Sequence, residues 1–226
     1  KGSNNAVYLA QTKDGVKCVV RQPRRNSDTQ RIGNASWEFR NTAIAANLKV
    51  CPIIYDAWYV RHATRLQRGG LHIVCDYYPK DIHSLLCDSP YDVIPIAKEL
   101  RSQVLSHLRK MADSYLFCYD LKPSNMVFRD EPVVMKLIDF GRCIFTYHNK
   151  LFYNDAFQKH GEAEGQFESP YNYLNFTNNN NNFKLNYNFD LCRLAITIIE
   201  VCNYNENIKN SKYERFLKFL YNLTLD

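Results

Sequence analysis

The stretch Cys118-Tyr-Asp-Leu-Lys-Pro-Ser-Asn-Met-Val-Phe128 puts an acid at Asp120, a cation at Lys122 and a side-chain amide at Asn125, with Pro123 wedged between them. A carboxylate can take a proton, an ammonium can hold an anionic oxygen, and an amide carbonyl can bind a hard cation. Any one of these residues is explained as well by a solvated polar turn. Further along the chain, Asp139-Phe-Gly141 closes the apolar run Val133–Ile138, and Asp190 opens the apolar stretch 190–202, which carries Glu200. Four acids and an amide thus recur along this part of the chain, beside apolar runs that could hold them in place.

Those residues need elements to hold them. Val7–Ala10 and Lys17–Arg21 read as short strands joined by the turn signal Lys13-Asp-Gly15. A helix is expected from about Ser36 to Leu48, with Trp37, Ile44 and Leu48 on one face and Ser36 as a cap. Strands follow at Ile53–Val60 and Leu71–Tyr77. From Ile94 to Met111 the positions Ile96, Leu100, Val104, Leu105 and Leu108 trace one helix face. Val133–Ile138 is a strand. A long irregular segment extends from there to Phe189 and includes the tract Asn178–Asn182. Asp190–Cys202 reads as a buried helix and Ser211–Leu225 as an amphipathic one. Strands first and helices after give an α+β order with a junction near Tyr77–Lys80.

Composition fits this reading. A chain of 226 residues, 46% hydrophobic and 23% charged, can bury a sizeable core. Its longest apolar run is too short to span a bilayer. The chain begins at Lys1 without an apolar leader, which leaves its targeting open and is compatible with a fragment. Eight cysteines are scattered with no CxxC pair, as expected for reduced, buried thiols in an intracellular compartment, cytoplasm or nucleus. The net charge of +6 is modest. The basic run Arg21–Arg25 reads as a solvated face, since no aromatic platform accompanies it to suggest nucleic-acid binding.

Taken together, the 118–128 loop, Asp139-Phe-Gly141 and the stretch from Asp190 to Glu200 resemble the eukaryotic-type protein kinase family across nearly the whole chain. The resemblance implies a two-lobed α+β fold: a small β-rich N-lobe with one helix over residues 1–77, and a shortened, mainly helical C-lobe over 78–226. It implies ATP and Mg²⁺ as cofactors and transfer of the γ-phosphate to Ser/Thr hydroxyls of a protein substrate, because Lys122-Pro123 matches the Ser/Thr form of the loop. Asp120 would be the catalytic base and Lys122 a phosphate contact, with Asn125 and Asp139 as metal ligands. Gly2 and Val7 would flank the phosphate-covering loop, Arg21 would take the place of the strand lysine, and Glu38 would be its helix partner. Backbone groups of Asp76, Tyr77 and Tyr78 would face adenine, with Cys75 beside them.

The chain departs from the family pattern in several places. Asn5 stands where a third loop glycine is expected, Arg21 replaces a lysine, and Cys118-Tyr119 replaces His-Arg. Ser169-Pro-Tyr171 lacks a terminal Glu, in keeping with a trimmed C-lobe such as those of compact kinases from large DNA viruses and some bacterial effectors, which act in a host cell. These departures leave room for a kinase-fold binding module or scaffold, with a regulatory partner, and behind it a small-molecule phosphotransferase.

Overall fold

The computed structural model describes residues 5–24, 32–62, 68–88, 93–148, 150–152, 190–191 and 194. The fold is mixed α and β, with antiparallel sheets and helices. By packing, the described residues divide into two compact units. One comprises those up to Tyr78 together with Asp139–Gly141; the other runs from Pro79 to Ile138 and resumes at Arg142. In chain order Asp139-Phe-Gly141 belongs with the residues after 78, but it packs with the first unit.

In the first unit, β1 (Asn5–Gln11), β2 (Lys17–Pro23), β3 (Ile54–Val60) and β4 (Gly70–Asp76) form one antiparallel sheet in the order β1-β2-β4-β3. The β1–β2 turn closes where Gly15, at φ 83°, supplies the left-handed residue and its amide donates to the Thr12 carbonyl at 3.0 Å. Leu71 and Ile73 pack with Ala35, and Ile54, Ala57, Tyr59 and Cys75 extend that core.

Helix α1 runs over Ile32–Asn47. Ser36 therefore lies a full turn inside the helix rather than capping it. The buried face is also rotated from the expected one: Ala35, Glu38, Asn41, Thr42 and Ala45 are buried, whereas Trp37, Ile44 and Leu48 are only partly covered. The physical reason is that two alanines let the backbone approach its neighbours closely, and the polar residues between them have partners to meet. Trp37 instead lies under the Arg40 guanidinium, 4.6 Å from its ring centroid. The helix stops at Lys49, left-handed at φ 60°, with Val50 N–H donating to Ala45 and Lys49 N–H to Ala46.

The second unit contains elements that periodicity did not indicate. Helix α2 (Ile82–Asp88) is capped by Asp81, whose carboxylate accepts from the Ser84 amide at 2.8 Å and its hydroxyl at 2.7 Å. Helix α3 (Val93–Asp113) buries Leu100, Val104, Leu108 and Met111 along one stripe. One small sheet orders β5 (Lys80–Asp81), β7 (Met126–Asp130) and β8 (Val133–Leu137) as β5-β7-β8; another orders β6 (Leu116–Phe117), β9 (Ile144–Tyr147) and β10 (Lys150–Phe152) as β10-β9-β6. Strands β9 and β10 fall where an irregular segment was expected. The expected helix 211–225, most of 190–202, Gly2, the Asn tract and Ser169–Tyr171 lie outside the described residues. Among the described residues, no helix is long and apolar enough to cross a membrane.

Candidate active site

Asp120, Lys122 and Asn125 are positioned by a loop that is buried almost throughout. Leu116 to Leu121 are all buried, as are Pro123 and Asn125. The solvated-turn explanation of this loop therefore fails. Lys122 is extended at φ −151° and ψ 158°, as the residue before a proline must be, and Pro123 opens a single 3₁₀ turn over Pro123–Asn125. That turn brings Asn125 back over the start of the loop. Its Nδ2 donates to the Asp120 carbonyl at 2.9 Å and to the Asp120 carboxylate at 3.3 Å, while Lys122 Nζ approaches the same carboxylate oxygen at 3.3 Å. A carboxylate only 4% exposed is costly without partners, and here Asn125 and Lys122 both meet it. Both hydrogen bonds from Asn125 to Asp120 use its amide nitrogen.

The base of the loop is held from seventy residues away. The Asp190 carboxylate, itself buried, accepts from the Cys118 amide at 2.8 Å and the Tyr119 amide at 2.7 Å. Tyr119 sits in the left-handed region at φ 56°, a conformation that costs free energy for a non-glycine residue. Two charge-assisted hydrogen bonds flanking it offset that cost. The Tyr119 ring is buried, and burial together with the neighbouring Asp190 charge pushes its phenol well above the ordinary tyrosine range. It is therefore a neutral, buried side chain. Sequence reading had Asp190 opening a helix; its role as anchor of the 118–119 backbone was not visible there.

A second group of the expected residues gathers in the first unit. Arg21 of β2 forms an ion pair with Glu38 of α1, which is 2% exposed. Burial lowers the Arg21 pKa, and the Asp139 carboxylate, also within electrostatic range, opposes that shift. One guanidinium thus serves two acids. Asp139 stands at φ 64°, and a methyl group added at Gly141 would touch both Asp139 Oδ1 and the Glu38 carboxyl carbon. The Phe140 carbonyl accepts from Asn41 Nδ2 at 3.1 Å. Asn41 was missed in the sequence; the signal was a polar residue one turn after Glu38 on the same helix face.

Val7 lies directly opposite Arg21 in the β1–β2 register, so the two side chains share a sheet face, and Val7 is 63% exposed. Cys75 is half-buried opposite Val19; burial raises its thiol to about 11 although Arg21 pulls the other way. The Asp76 amide donates to the Ile53 carbonyl at 2.9 Å, which removes that group from the ones available to a base. The Asp76 carboxylate accepts from Tyr55 at 3.4 Å.

Among the described residues no three His, Cys, Asp or Glu side chains group to hold a metal. Compared with models of known protein families and with curated protein sequences, the chain matches none of them.

Proposed function

We propose that this chain is a kinase-like phosphotransferase of two-lobed design that moves the γ-phosphate of ATP to a Ser or Thr hydroxyl of a protein substrate. The observation that carries the reading is the buried loop in which Lys122 and Asn125 both meet the Asp120 carboxylate, with Asp190 fixing the backbone beneath. A solvated turn has no use for that arrangement. A general base held at one orientation does.

In this reading Asp120 accepts the proton of the substrate hydroxyl as its oxygen bonds to the γ-phosphorus, and the bond from that phosphorus to the β-bridging oxygen breaks to release ADP. Lys122 stabilises the negative charge on the transferring group as a point charge. Asn125 Oδ1 and the Asp139 carboxylate are the oxygens that would hold Mg²⁺, which when bound supplies charge neutralisation at the phosphates. Arg21, paired with Glu38, keeps a fixed positive charge on the face that carries Val7. Tyr77 and Tyr78, with the Asp76 carbonyl, are the backbone candidates for the base. An intracellular site of action and a regulatory protein partner complete the proposal.

One specific observation favours a second reading, a binding module that does not transfer phosphate. Arg21 is a planar, desolvated guanidinium committed to Glu38, and it does not reproduce a lysine's compact contact with phosphate.

The deciding experiment is transfer of labelled γ-phosphate from Mg-ATP to a generic basic protein and to the chain itself, beside Asp120→Asn and Asp139→Asn. Transfer that drops by roughly a hundredfold or more in both variants is the expected result. A folded protein with no transfer moves the weight to the binding module.

A further inference from the structure

The residues on either side of Asp139 are tied by hydrogen bonds, each within its own unit. On one side the Ile138 amide donates to the Asn125 carbonyl at 2.9 Å. On the other, Asn41 Nδ2 donates to the Phe140 carbonyl at 3.1 Å, across ninety-nine residues of sequence. Between these tethers Asp139 adopts φ 64°, and no β-branched or bulky residue would rest there easily. Asn41 is 0% exposed and Phe140 2%. An unmade hydrogen bond at such a place leaves a buried carbonyl unsatisfied, so the bond has two settings, made or lost, with little between.

We propose that Asn41 is a positioning residue for Asp139: a latch on α1 that holds Asp139-Phe140-Gly141 in the conformation that presents the Asp139 carboxylate. Several features beyond the bond itself support a positioning role. Asn41 lies three residues after Glu38, so one helical turn carries both the partner of Arg21 and the clamp on Phe140. Gly141 runs close to Glu38, with 3.7 Å from its would-be Cβ to the Glu38 carboxyl carbon. The Asp139 carboxylate lies within electrostatic range of Arg21 and favours its charged form. One turn of α1 thus fixes the cation, its counter-ion and the backbone of the third charged group. A leucine at position 41 would fill nearly the same buried space without a donor, so the sequence spends a polar group where burial alone did not require one. The catalytic consequence rests on the phosphotransferase reading; the latch itself does not.

The test compares Asn41→Leu, close in volume but without a donor, with Thr42→Val at the adjacent buried position. Hydrogen exchange of the Asp139, Phe140 and Gly141 amides is followed in the nucleotide-free protein, and kcat and the KM for ATP are measured in parallel. The expected result is exchange faster by about tenfold at these three amides in Asn41→Leu and not in Thr42→Val, with kcat down by on the order of tenfold and KM little changed. Unchanged exchange in Asn41→Leu, or amides already exchanging freely in the wild type, overturns the latch. Faster exchange with unaltered kcat overturns the positioning role. If the wild type transfers no phosphate, faster exchange still supports the latch while the phosphotransferase reading falls. Should Asn41→Leu fail to fold, NMR of the wild type decides: a slowly exchanging Asn41 side-chain amide supports the bond, and one exchanging as fast as a surface asparagine overturns it.

Discussion

Arg21 and Glu38 pose the central energetic question at the scale of single residues. A buried ion pair is weak evidence of stability, because the cost of stripping water from two charges offsets much of their attraction. Removing one partner is another matter, since the survivor is then a buried, uncompensated charge. Glu38→Ala should therefore lower unfolding free energy by about 3–5 kcal/mol. Arg21→Met combined with Glu38→Leu should cost much less than the two single changes added together, as urea unfolding of all four proteins would reveal. Strictly additive losses would mean that the pair is not coupled. If Arg21 is held for phosphate binding, the double variant should recover stability without recovering transfer. Glu38 was legible in the sequence as the only acid on its helix, and Arg21 as the cation ending its strand. Asn41 was not, because an asparagine in a helix reads as solvated until its buried face is known.

At the scale of elements, the clearest example is the grip of α3 on β8. Gln103 donates to the Val133 carbonyl and accepts from the Met135 amide, both at 2.8 Å, and one turn on His107 Nε2 contacts the Met135 carbonyl at 2.9 Å. That contact makes Nε2 the protonated nitrogen, and among the described residues no hydrogen-bond partner reaches the buried Nδ1. Burial lowers the His107 pKa, aided by Lys136 on β8 and Lys110 on α3, while the bond to Met135 opposes the shift. The folded protein thus resists a second proton that the unfolded chain accepts at its ordinary pKa of about 6.5. Stability from this group is full above that pH and falls as the pH drops below it. His107→Gln keeps a donor for Met135 and removes the titration, so the fall in Tm between pH 7.5 and pH 5.5 should shrink. An unchanged fall would assign the acid sensitivity to other groups. The strong apolar stripe Leu100–Leu108 made α3 legible, whereas the polar stripe beside it was silent because its partners lie on a strand some thirty residues away. Short elements were lost for a related reason: α2 and the β9–β10 pair hold too few residues for a period to emerge, and they depend on Asp81 capping and on pairing with β6.

Across the whole molecule, the residues singled out in the sequence divide between the compact units: Arg21, Glu38 and Asp139 belong to the first, Asp120, Lys122 and Asn125 to the second. Chain order made the α+β character readable, but it assigned Asp139-Phe-Gly141 by sequence position, and only packing shows which unit gathers it. The same difference between chain order and packing bears on control. Phosphorylation organises a site by giving a cation a new anionic partner. Here the residue before Asp120 is Tyr119, neutral, 1% exposed and packed beside Asp190, so this position offers no cation to receive a phosphate. The backbone that such a contact would fix is already held by two hydrogen bonds from Asp190. A loop fixed by the fold needs no covalent switch at this point. Treatment with a broad phosphatase should accordingly leave the transfer rate within about twofold of the mock-treated protein, whereas removal of an organising phosphate would cost tenfold or more, on the order of a lost charge-assisted hydrogen bond. A tenfold loss would show that another cation receives a phosphate and that Asp190 alone does not set the loop. Asp190→Asn extends the argument, because it keeps the shape and removes the charge: transfer should fall in that variant, and phosphatase should still have no effect on what remains.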